Sequence, residues 1–231
     1  MIVGKGLLAT AFHERFAADP SVMIFASGVS DSTTDDQAAF ERERSLLEHA
    51  LQTWPGRVVY FSSCAAGDPA TAISPYLQHK RRMEASVLGR DHTTIFRLPQ
   101  VVGRTDNPST LTNFLYDRIS NEKRFTVWTR AERNLIDVDD VASIGAGLVN
   151  DPGIDERVIS IAAPRSLPIL SIIDIFEMVL GQKASFDSVD KGDALHIECS
   201  IAQRAAKDAG VEFGADYSER VIRKYYGHLT S

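Results

Sequence analysis

Tyr76 and Lys80 are the two residues of this chain whose types and spacing most clearly suggest chemistry. They stand four positions apart, so one helical turn would place both side chains on one face. An ammonium group beside a phenol lowers the pKa of the phenol, and a nearby hydroxyl can hold a substrate oxygen. Ser62-Ser63, at the end of an apolar run upstream, would supply that hydroxyl. The pattern therefore predicts proton transfer near neutral pH.

A glycine turn near the N-terminus, Gly4-Lys5-Gly6-Leu7-Leu8-Ala9, fits the pattern G-x-G-x-x-G/A. Between a strand and a helix, the N–H groups of such a turn and the helix dipole can hold a pyrophosphate. An ordinary tight strand-to-helix turn is the alternative interpretation. The Walker A pattern does not fit, because no Gly-Lys-Ser/Thr follows at the required spacing.

The elements that would position these residues alternate between apolar β-rich runs and helical stretches. We predict strands at 2–3, 22–26, 57–61, 93–98 and 158–162. We predict helices at 7–17, 35–50 and 76–88 between them, the second with Phe40, Leu46, Leu47 and Leu51 on its apolar side. This alternation is typical of a doubly wound parallel sheet, so the expected fold is α/β and Rossmann-like.

The remaining elements suggest a small, mostly helical cap. Helices are expected at 111–119, 141–149, 170–180, 201–209 and 217–226, with a short strand at 125–128. Asp139-Asp140 is expected to cap the second of these helices, and Gly181 to end the third. We therefore predict a dinucleotide-binding domain over 1–165, with a cap insertion around 104–135. A substrate cap over 166–231 would share its core.

Composition and charge exclude several classes of protein. With 44% apolar and 24% charged residues, the chain has the composition of an ordinary globular protein. Its formal net charge of -6 argues against a nucleic-acid partner. No window approaches the roughly 20 apolar residues of a membrane span. Because Cys64 and Cys199 are the only cysteines and Met1 leads straight into the glycine turn, we expect a cytoplasmic protein.

The other polar residues considered are interpreted as parts of the structure and not as catalytic or metal-binding groups. His79, beside Lys80, is expected on the helix surface, and Arg97 is expected to close a buried polar network at a strand end. The histidines, including His228, show no metal-ligand spacing with acids or cysteines, so we predict no metal site.

Four segments carry a family resemblance: VGKGLLATAF, VVYFSSCAAG with PYLQHKRRME, IFRLPQVVGR and RNLIDVDDVA. Together they resemble the extended short-chain dehydrogenase/reductase superfamily, specifically its NAD-dependent epimerase/dehydratase group, which acts on nucleotide sugars. R-L-P-x-x-x-G resembles the family segment that lies along the nicotinamide, and N-L-I-D-V-D-D-V-A resembles the family's R-D-F-I-H-V-D-D-V-A. The resemblance spans residues 1 to about 142.

The resemblance implies roles for individual residues. Tyr76 would be the general acid/base, and Lys80 would bind the nicotinamide ribose and lower the pKa of Tyr76. Ser63 is the preferred residue for the family's catalytic Ser/Thr position. Cys64 is the alternative, and it resembles the cysteine that takes part in epimerisation in GDP-fucose synthases, although simple packing remains open. NAD or NADP would contact Gly4, Lys5, Gly6, Leu7, Leu8, Ala26, Ser27, Ser62, Tyr76, Lys80, Leu98, Pro99 and Val101.

Two departures from the family pattern narrow the implied activity. The family has two further strands after the glycine turn, and 22–26 resembles its fourth strand, so about one βαβ segment is missing. The pocket for the adenosine half of the cofactor is therefore expected to be truncated. Ala65-Ala66 stand where the dehydratases of the family have Asp-Glu, so dehydration is not expected.

Three functions stay open. The favoured one is reduction, or 4-epimerisation, of a keto-sugar nucleotide, with a hydride from the nicotinamide and a proton from Tyr76. The second is a dehydrogenase of the same fold that acts on another small carbonyl substrate. The third is a non-catalytic NAD(P)-sensing or partner-binding module. A homodimer is expected by analogy with the family.

Overall fold

The computed structural model describes residues 1–68 and 73–227. Its strands are β1 (Ile2–Val3), β2 (Val22–Phe25), β3 (Arg57–Ser63), β4 (Thr93–Leu98), β5 (Gln100–Val102), β6 (Phe125–Trp128), β7 (Glu132–Arg133), β8 (Leu135–Asp137), β9 (Val158–Ser160), β10 (Leu167–Pro168) and β11 (Phe186–Val189). Its helices are α1 (Leu7–Phe16), α2 (Gln37–Thr53), α3 (Cys64–Gly67), α4 (Pro75–Leu88), α5 (Leu111–Ser120), α6 (Val138–Asn150), α7 (Ile169–Leu180), α8 (Ser200–Asp208) and α9 (Tyr217–Tyr226).

The central sheet is parallel throughout, in the order β1-β2-β3-β4-β9. All of β2 and most of β3 are buried, as expected for parallel strands that are covered on both faces. A helix connects each strand to the next from β1 to β4. The predicted α/β, Rossmann-like fold is therefore confirmed.

Alternate residues of the strands face two separate layers of helices. Ile24 and Val59 pack in a cluster with residues of α1, α6 and α8. Their chain neighbours Met23 and Val58 pack in another cluster with residues of α2 and α4. Because successive side chains of a strand point to opposite faces, the two clusters lie on opposite sides of the sheet.

The connection β1–α1–β2 has the opposite hand to the two connections that follow it. All three move in the same direction across the sheet, but α1 packs on the α6 face, whereas α2 and α4 pack on the other face. About 98% of such parallel crossovers are right-handed, so we assign the unusual hand to β1–α1–β2. In the doubly wound order β1 is internal. Here β1 lies at the edge of the described sheet, as the missing βαβ segment predicts.

Close packing against α6 holds α1 on this face. The ring of Phe12 is fully buried against Gly145 of α6, where an added Cβ would lie 2.8 Å from the Phe12 Cζ atom. Phe16, one turn further along α1, is buried in the same cluster. Tertiary packing, including the contacts of Phe12 with Gly145 of α6 and Phe61 of β3, therefore holds α1 on this face against the local preference of the chain.

The start of α6 differs from the sequence-based expectation. Its N-cap is Asp137, whose carboxylate accepts a hydrogen bond of 2.9 Å from the Asp139 N–H. The expectation that Asp140 caps this helix is wrong, because Asp140 accepts a hydrogen bond of 2.6 Å from the Tyr217 hydroxyl. Asp140 therefore ties α6 to the neighbourhood of α9. Gly181 does end α7, in the left-handed conformation, as predicted.

A further hydrophobic cluster joins α5, α7 and α9 with β6, in the regions expected to form the cap. Two short parallel pairs, β6 with β11 and β5 with β8, support these helices. The sequence predicts only β6 of those four strands. Although α8 falls within 166–231, it packs on α6 and the sheet. The domain division at residue 165 stays a prediction.

Within residues 1–68 and 73–227, no helix combines the length and the apolar character that crossing a bilayer requires.

Candidate active site

A cavity of about 370 Å³ opens at the carboxyl ends of β1 to β4. Ligands of parallel α/β sheets bind at this end of the strands. The sequence-predicted residues that line it are Gly6, Leu7, Leu8, Ala26, Ser62, Ser63, Tyr76, Lys80, Leu98, Pro99 and Val101. Gly4 and Lys5 line a separate groove beside β1, and neither Ser27 nor Cys64 belongs to the cavity wall.

The glycine turn has the geometry that an anionic ligand needs. Gly4 has a φ of +121°, and an added Cβ would overlap the carbonyl group of Ala26, so only glycine fits there. Gly6 is the N-cap of α1, makes no side-chain cap, and has open space where a Cβ would stand. The first N–H groups of α1 are therefore available beside the cavity, as pyrophosphate binding requires.

Tyr76 reaches the cavity because α4 begins immediately before it. Pro75 occupies the first turn of the helix, and the Ser74 hydroxyl accepts a hydrogen bond of 3.2 Å from the Leu77 N–H. Tyr76 and Ser63, which lies at the end of β3, line the same cavity, and the Ser63 side chain acts to lower the pKa of the Tyr76 phenol. The two residues that the sequence predicts as acid/base and substrate-orienting groups therefore meet.

Ser62 precedes this pair and is almost fully buried. Its hydroxyl has no hydrogen-bond partner within the described ranges, although it stands in the wall of the cavity. A buried hydroxyl without a partner costs free energy, so a ligand that bonds to it would bind more tightly. This observation fits the expected contact between Ser62 and a cofactor.

The expected lowering of the Tyr76 pKa by Lys80 is not seen. Burial raises the pKa of the Tyr76 phenol, the charge of Glu43 raises it further, and the nearby Ser63 side chain opposes them. The Lys80 ammonium lies 5.8 Å from the centre of the Tyr76 ring, with its charge neutralised by a carboxylate. Tyr76 is therefore set to hold its proton in the unliganded protein.

That carboxylate belongs to Glu43, which sequence reasoning missed. Its Oε1 accepts hydrogen bonds from the Lys80 ammonium at 3.0 Å and the Tyr60 hydroxyl at 2.7 Å. Glu43 lies on the apolar side of α2 in a position flanked by Phe40 and Leu47, whereas Leu46, expected there, is exposed. An acidic residue at a core-facing helical position is the signal that could have revealed it.

His79 is part of the same buried group. Its Nε2 lies 2.9 Å from Glu43 Oε2, and its ring stacks on Phe40 with centroids 4.5 Å apart. The expectation that His79 lies on the helix surface is therefore wrong, because only 5% of the residue is exposed. It faces α2 across the contact between the two helices.

Cys64 is turned away from the cavity. Its thiol donates a hydrogen bond of 3.3 Å to the Arg97 carbonyl, and burial raises its pKa to about 12. A thiol with such a pKa holds its proton and reacts slowly. The Arg97 guanidinium pairs with Glu84 at 2.6 Å, which agrees with its expected place in a polar network.

The mouth of the cavity is lined by hydroxyl and amide groups that the sequence did not single out. They belong to Ser30, Ser32, Thr105, Asn107, Ser109 and Thr110. The Asn107 amide donates to the Ser30 hydroxyl at 3.2 Å, and the Ser109 hydroxyl donates to Asp31 at 3.1 Å. Two loops therefore meet across the mouth and offer donors and acceptors of the kind that sugar hydroxyls bind.

Across the described part of the chain, no group of three or more His, Cys, Asp or Glu side chains could hold a metal ion. His228 lies outside that part.

Comparisons with known proteins agree with this geometry. A family model described as the NAD dependent epimerase/dehydratase family matches residues 7–161. No curated protein matches the sequence significantly.

Many solved structures share the fold. RMD from Pseudomonas aeruginosa, complexed with NADPH, is 18% identical with a TM-score of 0.70, over 98% of this chain and 88% of that one. A UDP-N-acetylglucosamine 4-epimerase from Methanobrevibacter ruminantium M1, in complex with UDP-N-acetylmuramic acid, is 16% identical with a TM-score of 0.69, over 91% and 77%. A UDP-glucuronic acid 4-epimerase from Bacillus cereus, in complex with UDP-glucuronic acid and NAD, is 17% identical with a TM-score of 0.67, over 90% and 76%.

Proposed function

The chain belongs to the NAD dependent epimerase/dehydratase family, and from this premise we propose that it is an NAD(P)-dependent oxidoreductase acting on a nucleotide sugar. Within that class we favour reduction of a keto-sugar nucleotide, with 4-epimerisation as the close alternative. Tyr76 is the proposed general acid/base and Ser63 the residue that orients the reacting oxygen.

One observation carries the proposal: Tyr76 and Ser63 line the same cavity as the first turn of α1. A proton donor, a group that orients an oxygen and an anion-binding helix terminus thus surround one space of about 370 Å³. Carbonyl reduction needs these three elements together, because the substrate oxygen must be held beside both the proton donor and the bound cofactor.

The residues present fit the nicotinamide and pyrophosphate parts of NAD or NADP. Gly6, Leu7 and Leu8 would hold the pyrophosphate, Ser62 and Lys80 would lie beside the ribose, and Pro99 with its neighbours would flank the nicotinamide. When bound, the cofactor supplies or accepts a hydride. The protein residues orient the substrate oxygen and move the proton.

The protonation of Tyr76 favours the reductive direction. Its pKa is raised by burial and by the charge of Glu43, so the phenol keeps its proton near neutral pH. A protonated phenol can donate to the oxygen of a carbonyl group as that oxygen gains electrons. Oxidation would need the phenolate, which the buried site disfavours.

The hydroxyl and amide groups at the mouth favour a sugar as substrate. Ser30, Asn107 and Ser109 present donors and acceptors in the same cavity as Tyr76. Proteins of this fold such as the 4-epimerases described above are complexed with UDP sugars. Ala65 and Ala66 bring no acid or base to the site, so elimination of water is not proposed.

The alternative of a non-catalytic NAD(P)-sensing module rests on a specific observation. β1 lies at the edge of the described sheet, so no strand lies beyond it to hold the adenosine half of the cofactor. A protein of this kind would bind the cofactor weakly and turn over no substrate.

Cofactor titration and turnover separate the two proposals. NADH and NADPH are titrated by nicotinamide fluorescence, and keto-sugar nucleotides are screened with each cofactor by absorbance. Tyr76→Phe should lower kcat by about 10²- to 10⁴-fold and leave the cofactor Kd nearly unchanged, because only the proton donor is lost. Tyr116→Phe, in the cap, is the matched control. Wild-type kcat in Tyr76→Phe would show that another group donates the proton, and no cofactor binding at all would exclude both proposals.

We also propose that the protein forms a homodimer, as the family resemblance implies, and that it lies in the cytoplasm, as the presence of only two cysteines led us to expect. Size-exclusion chromatography with light scattering tests the dimer directly, and a mass of 25.4 kDa in solution would contradict it.

A further inference from the structure

We propose that Glu43 is a positioning residue for Lys80: it fixes the ammonium group at the floor of the cavity, keeps it charged, and leaves one donor for the cofactor. This inference rests on the proposed function, because it assigns a purpose to Lys80 in cofactor binding. Neither the sequence motifs nor the comparisons point to Glu43.

The carboxylate of Glu43 is fixed by four hydrogen bonds. Oε1 accepts from Lys80 and Tyr60, and Oε2 accepts from the Val29 N–H at 2.7 Å and lies 2.9 Å from His79 Nε2. The two carboxylate oxygens together offer about four lone-pair directions, and the four partners occupy all of them. Only 1% of Glu43 is exposed, so water does not compete for these bonds. The carboxylate therefore has one orientation.

This fixed carboxylate determines where the Lys80 ammonium lies. An ammonium group has three N–H donors. One bonds to Glu43 at 3.0 Å and a second bonds to the Tyr60 hydroxyl at 3.2 Å. Because Lys80 also lines the cavity, its third donor is left for a group inside that space. A ribose hydroxyl of the proposed cofactor is a group of the right chemistry.

The loop after β2 prevents Lys80 from moving away. An added Cβ on Gly28 would lie 2.8 Å from the Lys80 Nζ atom and 3.0 Å from Glu43 Oε1, so the loop backbone rests directly on the ion pair. The next residue, Val29, donates its N–H to Glu43. The same loop continues to Ser30 and Ser32 in the cavity wall. The loop therefore couples the ion pair to the mouth.

Electrostatics agree with this geometry. Burial holds the pKa of Lys80 below its usual value, and the charge and hydrogen bond of Glu43, with the charge of Glu84, oppose part of this lowering. For Glu43, burial would raise the pKa, but the bonds and charges around it lower it to about 2. The groups facing the pair are Tyr60 from β3, Tyr76, His79 and Glu84 from α4, and the Val29 amide. Glu43 is thus the anion in direct contact with Lys80 that offsets part of its desolvation.

The first test is a double-mutant cycle on cofactor binding. Glu43→Gln keeps the shape of the side chain and removes its charge, and Lys80→Met removes the ammonium. Each is expected to weaken NADH binding by about tenfold at pH 8, since one charged hydrogen bond is lost or misplaced. The double variant should bind no more weakly than Lys80→Met alone, because Glu43 acts through Lys80. Additive losses of about a hundredfold would overturn the proposal.

The second test needs no cofactor. The ¹³Cε signal of Lys80, assigned by its loss in Lys80→Met, is followed against pH in the unliganded protein. Glu43→Gln should move the midpoint down by about one pH unit or more, because an opposite charge has been removed from beside a buried base. Glu41→Gln, which changes a fully exposed carboxylate on the same helix, should leave the midpoint unchanged. An unchanged midpoint in Glu43→Gln would overturn the proposal.

Two further outcomes have to be covered: Glu43→Gln that does not fold, and wild-type protein that binds no NADH. If Glu43→Gln does not fold, Tyr60→Phe removes one hydroxyl that contacts both members of the pair and should lower the Lys80 midpoint by a smaller amount. An unchanged midpoint in Tyr60→Phe would then count against the proposal. If the wild-type protein binds no NADH, the proposed function fails, while the ¹³C titration still decides whether Glu43 keeps Lys80 charged.

Discussion

Acid should destabilise the protein through Glu43 more than through any exposed carboxylate of α2. Burial raises the pKa of this carboxyl, but His79, Lys80, Val29 and Tyr60 together lower it from 4.5 to about 2. A carboxyl whose folded pKa is lowered stabilises the protein fully above its unfolded pKa, and this contribution is lost as the pH falls through the folded pKa. The relevant window therefore runs from about pH 4.5 down to about pH 2.

The size of the effect follows from the same values. A tenfold change in an equilibrium constant is about 1.4 kcal/mol, so lowering the pKa from 4.5 to about 2 corresponds to about 3 kcal/mol. At pH 3 most of the unfolded carboxyl is protonated, and about 2 kcal/mol of that contribution is already lost. The free energy of unfolding should therefore differ between wild type and Glu43→Gln by about 2 kcal/mol less at pH 3 than at pH 7.

Urea unfolding followed by circular dichroism at several pH values between 3 and 7 measures this difference. Glu41→Gln is the matched control, because Glu41 is fully exposed on the same helix and its pairing with Arg44 is screened by solvent. The control should follow wild type at every pH. If Glu43→Gln stayed a constant amount below wild type from pH 7 to pH 3, the carboxyl would not be ionised and bonded as the structure has it.

Three shorter predictions follow from other parts of the structure. Gly4→Ala should lower the free energy of unfolding by about 1–3 kcal/mol in urea titrations, because φ is positive and a Cβ overlaps backbone, while Gly6→Ala, in open space, should change it far less. Cys64 should react with iodoacetamide at pH 8 far more slowly than a free thiol, as measured by mass spectrometry, because burial raises its pKa to about 12. Asp137→Ala should cost about 2–4 kcal/mol in thermal or urea unfolding, because α6 loses its cap and the Tyr225 hydroxyl loses its acceptor. A loss below about 0.5 kcal/mol would contradict that anchoring role.

The sequence predicted the elements of the sheet well, because their patterns are local. The apolar runs of β2 to β4 and the glycine turn before α1 are each contained within a few residues. The position of Tyr76 at the start of α4 followed from the strand and the serines before it. The pairing of β6 with β11 and of β5 with β8 could not be predicted from local patterns. Strands of three or four residues are paired by contacts between segments that are distant in sequence.

In the candidate site, it was easier to predict which side chains take part than to predict what surrounds each of them in the folded protein. Tyr76 and Ser63 were predicted from motifs, and in the structure both line one cavity. The state of Lys80 was not predictable in the same way, because its partner Glu43 lies 37 residues earlier on another helix. His79 was misassigned for the same reason, since a histidine directly before Lys80, Arg81 and Arg82 resembles a solvated helix surface, and its packing against Phe40 of α2 is not visible in the sequence.

The unusual hand of β1–α1–β2 has a consequence for the order in which the chain can assemble during synthesis. Because Phe12 packs against Gly145 on α6 as well as against Phe61 on β3, the first helix emerges from the ribosome more than a hundred residues before one of its packing partners exists. Until then only contacts with the sheet, such as that of Phe12 with Phe61, hold α1 on this face, and the first βα unit is expected to complete its packing late. The N-terminal segment, first to be made, would thus be among the last to become native.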